Sequence, residues 1–108
     1  MLYHEFTVEN KVYKLRLNTR NIIALESALG CNPLAIFGSG DTIPTVTTMV
    51  QILWASMQQL NHGISLDAAY DVFDAWINEG HNMTEFIQVI IEIYKVSGMM
   101  KTEQAEKN

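Results

Sequence analysis

The sequence predicts an α+β domain, mostly α, in which an N-terminal β-hairpin packs on a small bundle of about four helices plus a short helical turn. Three observations lead there. Phe6 and Val8, then Tyr13, Leu15 and Leu17, alternate with polar residues on either side of Glu9-Asn10, the period of a half-buried strand. From Asn18 onward apolar residues recur at steps of three and four, the period of a helix. The chain has 108 residues, 48% of them hydrophobic and 18% charged, which is the length and composition of one globular domain.

The hairpin comes first. A two-residue turn at Glu9-Asn10 sets Phe6 opposite Tyr13 and turns all five apolar residues to one face. An isolated hairpin is marginally stable, so that face has to pack on helices. Asn18-Thr19 caps a first helix carrying Ile22, Ile23, Leu25 and Leu29, and Gly30 stops it. Asn32-Pro33 opens a short helical turn from Leu34 to Phe37, before the breaker stretch Gly38-Ser39-Gly40-Asp41.

The next helix carries a stripe of Val46, Met49, Val50, Leu53, Trp54, Met57 and Leu60, with Pro44 in its first turn and Asn61-His62-Gly63 at its end. Ser65 caps a third helix whose inward residues are Leu66, Ala69, Tyr70, Phe73, Trp76 and Ile77. Asp67, Asp71, Asp74 and Asn78 lie mostly on its outer face, and Gly80 is its stop. Asn82-x-x-Glu85 reads as a capping box for the last helix, which Gly98 ends. That helix is apolar nearly all round, leaving Gln88, Glu92 and Lys95 polar. Two readings follow: central placement in the bundle, or one face meeting another chain. The domain is expected to span 1–100, with a disordered tail over 101–108.

Charge narrows the function. Twelve acidic against seven basic residues give a formal net charge of −5, which repels a phosphate backbone, so no nucleic-acid partner is expected. A lone cysteine, Cys31, allows no intrachain disulfide and implies no oxidising compartment. With no leader and no apolar run of about 18 residues, the expectation is a cytoplasmic protein without a membrane partner.

Catalytic chemistry is not visible. His4 on a strand and His62 and His81 in helix-ending loops are expected to lack a second ligand at helical spacing, and the two loop histidines to be solvated, so no metal site is expected. Asp67, Asp71, Asp74 and Glu79 read as a solvated face rather than a tuned carboxylate pair. Cys31 has no basic neighbour to activate it, and Gly38-Ser39-Gly40 lacks the Lys-Ser/Thr of a phosphate loop. No enzyme activity and no cofactor are therefore expected, which leaves binding to other proteins.

Several stretches, in this order and spacing, go further. They are Tyr13-Lys-Leu-Arg-Leu-Asn-Thr-Arg20, Leu25-Glu-Ser-Ala-Leu-Gly30 with Asn32-Pro-Leu34, and Ile52-Leu-Trp-Ala-Ser-Met-Gln58 with Asn61-His-Gly-Ile64. Tyr70-Asp-Val-Phe-Asp74, Glu79-Gly80, Ile91-Glu-Ile-Tyr94 and Ser97-Gly98 complete the series. Together they resemble the tail assembly chaperones of long-tailed bacteriophages and prophages of Gram-positive hosts. Related proteins of gene transfer agents share the strand-to-Leu-Glu-x-x-Leu-Gly opening.

The resemblance implies a chaperone of viral morphogenesis that binds the tape measure protein, helps recruit tail tube subunits, and is absent from the mature virion. The alternative is a structural tail or connector component retained in the virion. Candidate protein-binding residues are Ile87, Ile91 and Tyr94 on the last helix, with Met99 and Met100 behind it. Self-association through that helix, giving a homo-oligomer, is also expected.

Overall fold

The computed structural model describes residues 2–37 and 43–101. Two strands, β1 (His4–Val8) and β2 (Lys11–Leu15), form an antiparallel hairpin with Phe6 opposite Tyr13. Glu9 and Asn10 both have positive φ, 52° and 65°, the pair of left-handed residues that a type I′ turn requires. The alternation reads through to three dimensions: Phe6, Val8, Tyr13, Leu15 and Leu17 are all buried.

Helix α1 (Thr19–Leu29) starts on the Asn18 side chain, which accepts from the Asn21 N–H at 2.8 Å. It ends at Gly30, whose φ of 71° is the left-handed cap that glycine adopts at little steric cost. A 3-10 helix, Pro33–Phe37, follows. The breaker stretch 38–41 and the tail from 102 onward lie outside the described residues.

Helix α2 (Val46–Met57) is capped by Thr45, so Pro44 stands before the cap and not inside the first turn. The helix also stops at Met57, short of Asn61-His62-Gly63. Helix α3 (Leu66–Asn78) is capped by Ser65, and α4 (Met83–Val96) by the full capping box of Asn82 and Glu85.

The central helix is α2. Seven of its residues are buried, Met49, Val50, Ile52, Leu53, Ala55, Ser56 and Met57, and it meets α1, α3, α4 and β2. The expectation that the last helix takes the central place is corrected here. Helix α4 buries Phe86, Ile90, Ile93 and Tyr94, while Ile87 and Ile91 are only half-buried. Residues at i, i+3 and i+4 share a helix face, so Phe86, Ile90, Ile93 and Tyr94 form one inward stripe and Ile87 and Ile91 flank it.

Four aromatic rings clamp the hairpin onto α3 and α4. Ring centroids of Phe6 lie 5.6 Å from Trp76 and 6.0 Å from Phe86, and those of Phe73 and Phe86 are 5.2 Å apart; the two contacts with Phe86 are edge-on. Such pairs add about 0.5–1.5 kcal/mol each beyond the area they bury. The exit from β2 is tied to the far end of α4. Arg16 Nη1 donates to the carbonyls of Leu2 and Val96, and the Leu17 N–H donates to Ser97 Oγ.

Candidate functional surfaces

Among the described residues no group of three histidine, cysteine, aspartate or glutamate side chains is placed to hold a metal ion. Nor is any described helix long and apolar enough to cross a membrane. Cys31 is exposed, and Asp67, Asp71 and Asp74 are exposed along α3. What the fold does present is apolar and edge surface.

The first surface is a groove of about 280 Å³ between the start of α2 and the middle of α3. Val50 and Phe73 line it from the core side, each almost wholly buried. Val46 and Tyr70 stand at its rim, 42% and 47% exposed, with Thr47, Gln51 and Asp74 completing the lining. Both rim residues belong to helical stripes that the sequence assigned to the core. Val46 opens α2 and Tyr70 lies beside the buried face of α3, so each falls at the margin of its stripe, where the neighbouring helix no longer covers it. Val72, absent from the expected inward set, takes a buried place instead.

The second surface is the outer flank of α4. Met83, Ile87 and Ile91 recur every four residues, with Met83 39% exposed and the two isoleucines half-buried. Two of the expected binding residues, Ile87 and Ile91, therefore stand together as one stripe. Met99 and Met100 do not join it as free side chains: they are half-buried and pack against the core.

Tyr94 is a correction. Its side chain is completely buried, its hydroxyl donates to the Pro33 carbonyl at 3.0 Å, and its ring meets Phe37 edge-on at 5.9 Å. Burial raises its phenol above the ordinary value, with nearby Cys31 adding in the same direction. Tyr94 fastens α4 to the 3-10 helix and has no surface to offer a partner.

The third surface is a cleft between β1 and α4. His4, Glu5, Phe6 and Thr7 line one side, and Trp76, His81, Glu85, Gln88 and Val89 the other. His81 is not the solvated loop residue the sequence suggested. Its ring stacks on Trp76 with centroids 4.4 Å apart and planes within 4°, and Nδ1 lies 3.0 Å from Glu85 Oε2. Glu85 is thus an i+4 partner of His81, which corrects the expectation that no histidine has a second ligand-type residue at helical spacing. The His81 hydrogen bond first, and the Asn82 N–H second, hold the Glu85 carboxyl below its usual range. Burial pushes the His4 imidazole down, against the opposing pull of Glu92 and Glu5.

A model of a family of unknown function, DUF6096, matches residues 6–108, so the chain belongs to that family. No curated protein and no solved structure matches it.

Proposed function

We propose that this member of a family of unknown function is a phage tail assembly chaperone, which seats an amphipathic helix of the tape measure protein in the groove between α2 and α3. The observation that carries the reading is the pair Val46 and Tyr70, large apolar side chains left open over a concave floor of Val50 and Phe73. A groove of this kind accepts the apolar face of a partner helix, with side chains at i, i+3 or i+4 as anchors. The acidic residues of α3, Asp67, Asp71 and Asp74, are exposed and would favour a helix with basic flanks. The ordered series of sequence stretches from Tyr13 to Gly98 supplies the link to tail assembly.

Recruitment of tail tube subunits and action in the host cytoplasm, followed by absence from the finished particle, belong to the same proposal. The test is co-expression of the tagged chain with a tape measure protein encoded beside it, followed by pull-down. The expected result is a soluble complex from a tape measure protein that is insoluble alone. Recovery of the chain in purified virions, without that complex, would replace the chaperone reading with a retained tail or connector component.

A further inference from the structure

Among the described residues the hairpin has one covered edge and one open edge. On β2, the Lys14 N–H donates to Asn61 Oδ1 at 3.2 Å, and Asn61 Nδ2 donates back to the Lys14 carbonyl at 2.7 Å. Two residues on, the Arg16 N–H donates to the Ser56 carbonyl at 2.9 Å. The last turn of α2 and the loop after it therefore stand where a third strand would lie. Because Lys14 turns its main-chain groups outward and pairs with Glu5 across the ladder, Glu5 also turns its N–H and C=O outward, and so does Thr7.

No bond among the described residues uses the outward main-chain groups of Glu5 or Thr7. The next outward N–H, that of Glu9, is taken by Glu79 Oε2 at 2.7 Å, which marks the upper end of the open stretch. Both residues of this open stretch, Glu5 and Thr7, line the cleft between β1 and α4. The lining includes Glu5, which stands opposite Lys14 in the ladder, and Glu85, whose carboxylate also accepts from the Asn82 N–H and meets His81. No lysine or arginine is among the lining residues, and the far wall offers Val89 and the His81-covered Trp76.

We propose that the open edge of β1 is a docking site for an extended, basic peptide segment of a partner protein, which adds as a third strand. The main-chain groups of Glu5 and Thr7 hold its backbone, as in strand addition generally. Glu5 and Glu85 meet its Lys or Arg side chains, while an apolar side chain of the segment rests on Val89. A second copy of this chain is the poorer occupant, because pairing β1 with β1 brings Glu5 and Glu85 of both copies together. The edge shares no residue with the α2–α3 groove, so the two proposals stand or fall separately.

The test titrates the full-length chain with a fluorescein-labelled peptide of alternating lysine and valine, and with its glutamate-valine counterpart. Thr7→Pro removes one outward N–H at an edge position, where proline is tolerated because that N–H makes no ladder bond. The expected result is binding of the lysine peptide, weakened about tenfold by Thr7→Pro, by Glu5→Lys and by the acidic counterpart. Amide exchange at Glu5 and Thr7 slows on binding, a readout that does not depend on the folding of either variant. Equal binding by folded Thr7→Pro, unchanged exchange at those two amides, or no binding of the lysine peptide would each overturn the proposal. So would a concentration-dependent dimer that Thr7→Pro dissolves, since the occupant would then be a second copy.

Discussion

The Tyr94 hydroxyl reaches across 61 positions of sequence to the Pro33 carbonyl, and the bond lies inside the core. Removing the hydroxyl takes one buried hydrogen bond from the Pro33 carbonyl. Tyr94→Phe is expected to lower stability by about 0.5–1.5 kcal/mol in chemical denaturation. Partner binding by the folded variant should be unchanged. Weakened binding at full folding would restore Tyr94 to the binding surface.

The hairpin turn holds a glutamate at φ 52°, a conformation that costs an ordinary L-residue about 1–2 kcal/mol. Replacing Glu9-Asn10 by Asn-Gly places the preferred type I′ pair at those angles. The bond from residue 9 to Glu79 uses the main chain and survives the exchange. The double variant is expected to gain about 1 kcal/mol, read as a higher urea midpoint at unchanged slope. A lower midpoint would mean that the Glu9 side chain contributes something the strain argument omits.

Acid should weaken the fold in two stages. The His4 imidazole sits below its ordinary 6.5 in the folded chain, chiefly because burial disfavours the charged ring. Above pH 6.5 the ring is neutral in both states; below it the unfolded chain takes up the proton first, and stability falls. Glu85, held below its ordinary 4.5, adds a second loss further into acid. His4→Asn should flatten the first stage of the curve of stability against pH and leave the second. A wild-type curve flat from pH 7 to 5 would remove His4 from this account.

The groove and the α4 stripe are separable by charge insertion. Val46→Asp and Tyr70→Asp alter side chains already open to solvent and are expected to cost little stability, within about 0.5–1 kcal/mol. Each should lower co-purification of the tape measure protein severalfold. Ile91→Asp, at a half-buried site, should cost more stability yet leave binding intact in the fraction that folds by circular dichroism. The reverse pattern would move the binding face to Met83, Ile87 and Ile91.

Local chemistry explains what could be read ahead of the structure. Alternation fixed the hairpin face, and the side-chain caps Asn18, Ser65 and Asn82 fixed three helix starts, because each device acts within four residues. Placement within the bundle depends on neighbours distant in sequence. Helix α4 carries apolar residues nearly all round, yet α2 takes the centre because it meets three helices, α1, α3 and α4, and β2 besides. The same distance hid Val46 and Tyr70: helical spacing puts them near a core stripe, and only the ends of the facing helices decide whether they are covered. His81 over Trp76 and Asn61 against β2 have no local signature at all.

The Asn61 clasp on β2 bears on aggregation. A two-stranded sheet with both edges bare can extend in both directions, each added chain exposing a fresh edge for the next, which is the route to fibres. Here one side of the ladder ends on a carboxamide belonging to the same chain. Growth from the bare side therefore stops after one addition. Unless the clasp is lost, as Asn61→Ala would cause, strand-mediated contact is limited to a pair and cannot propagate.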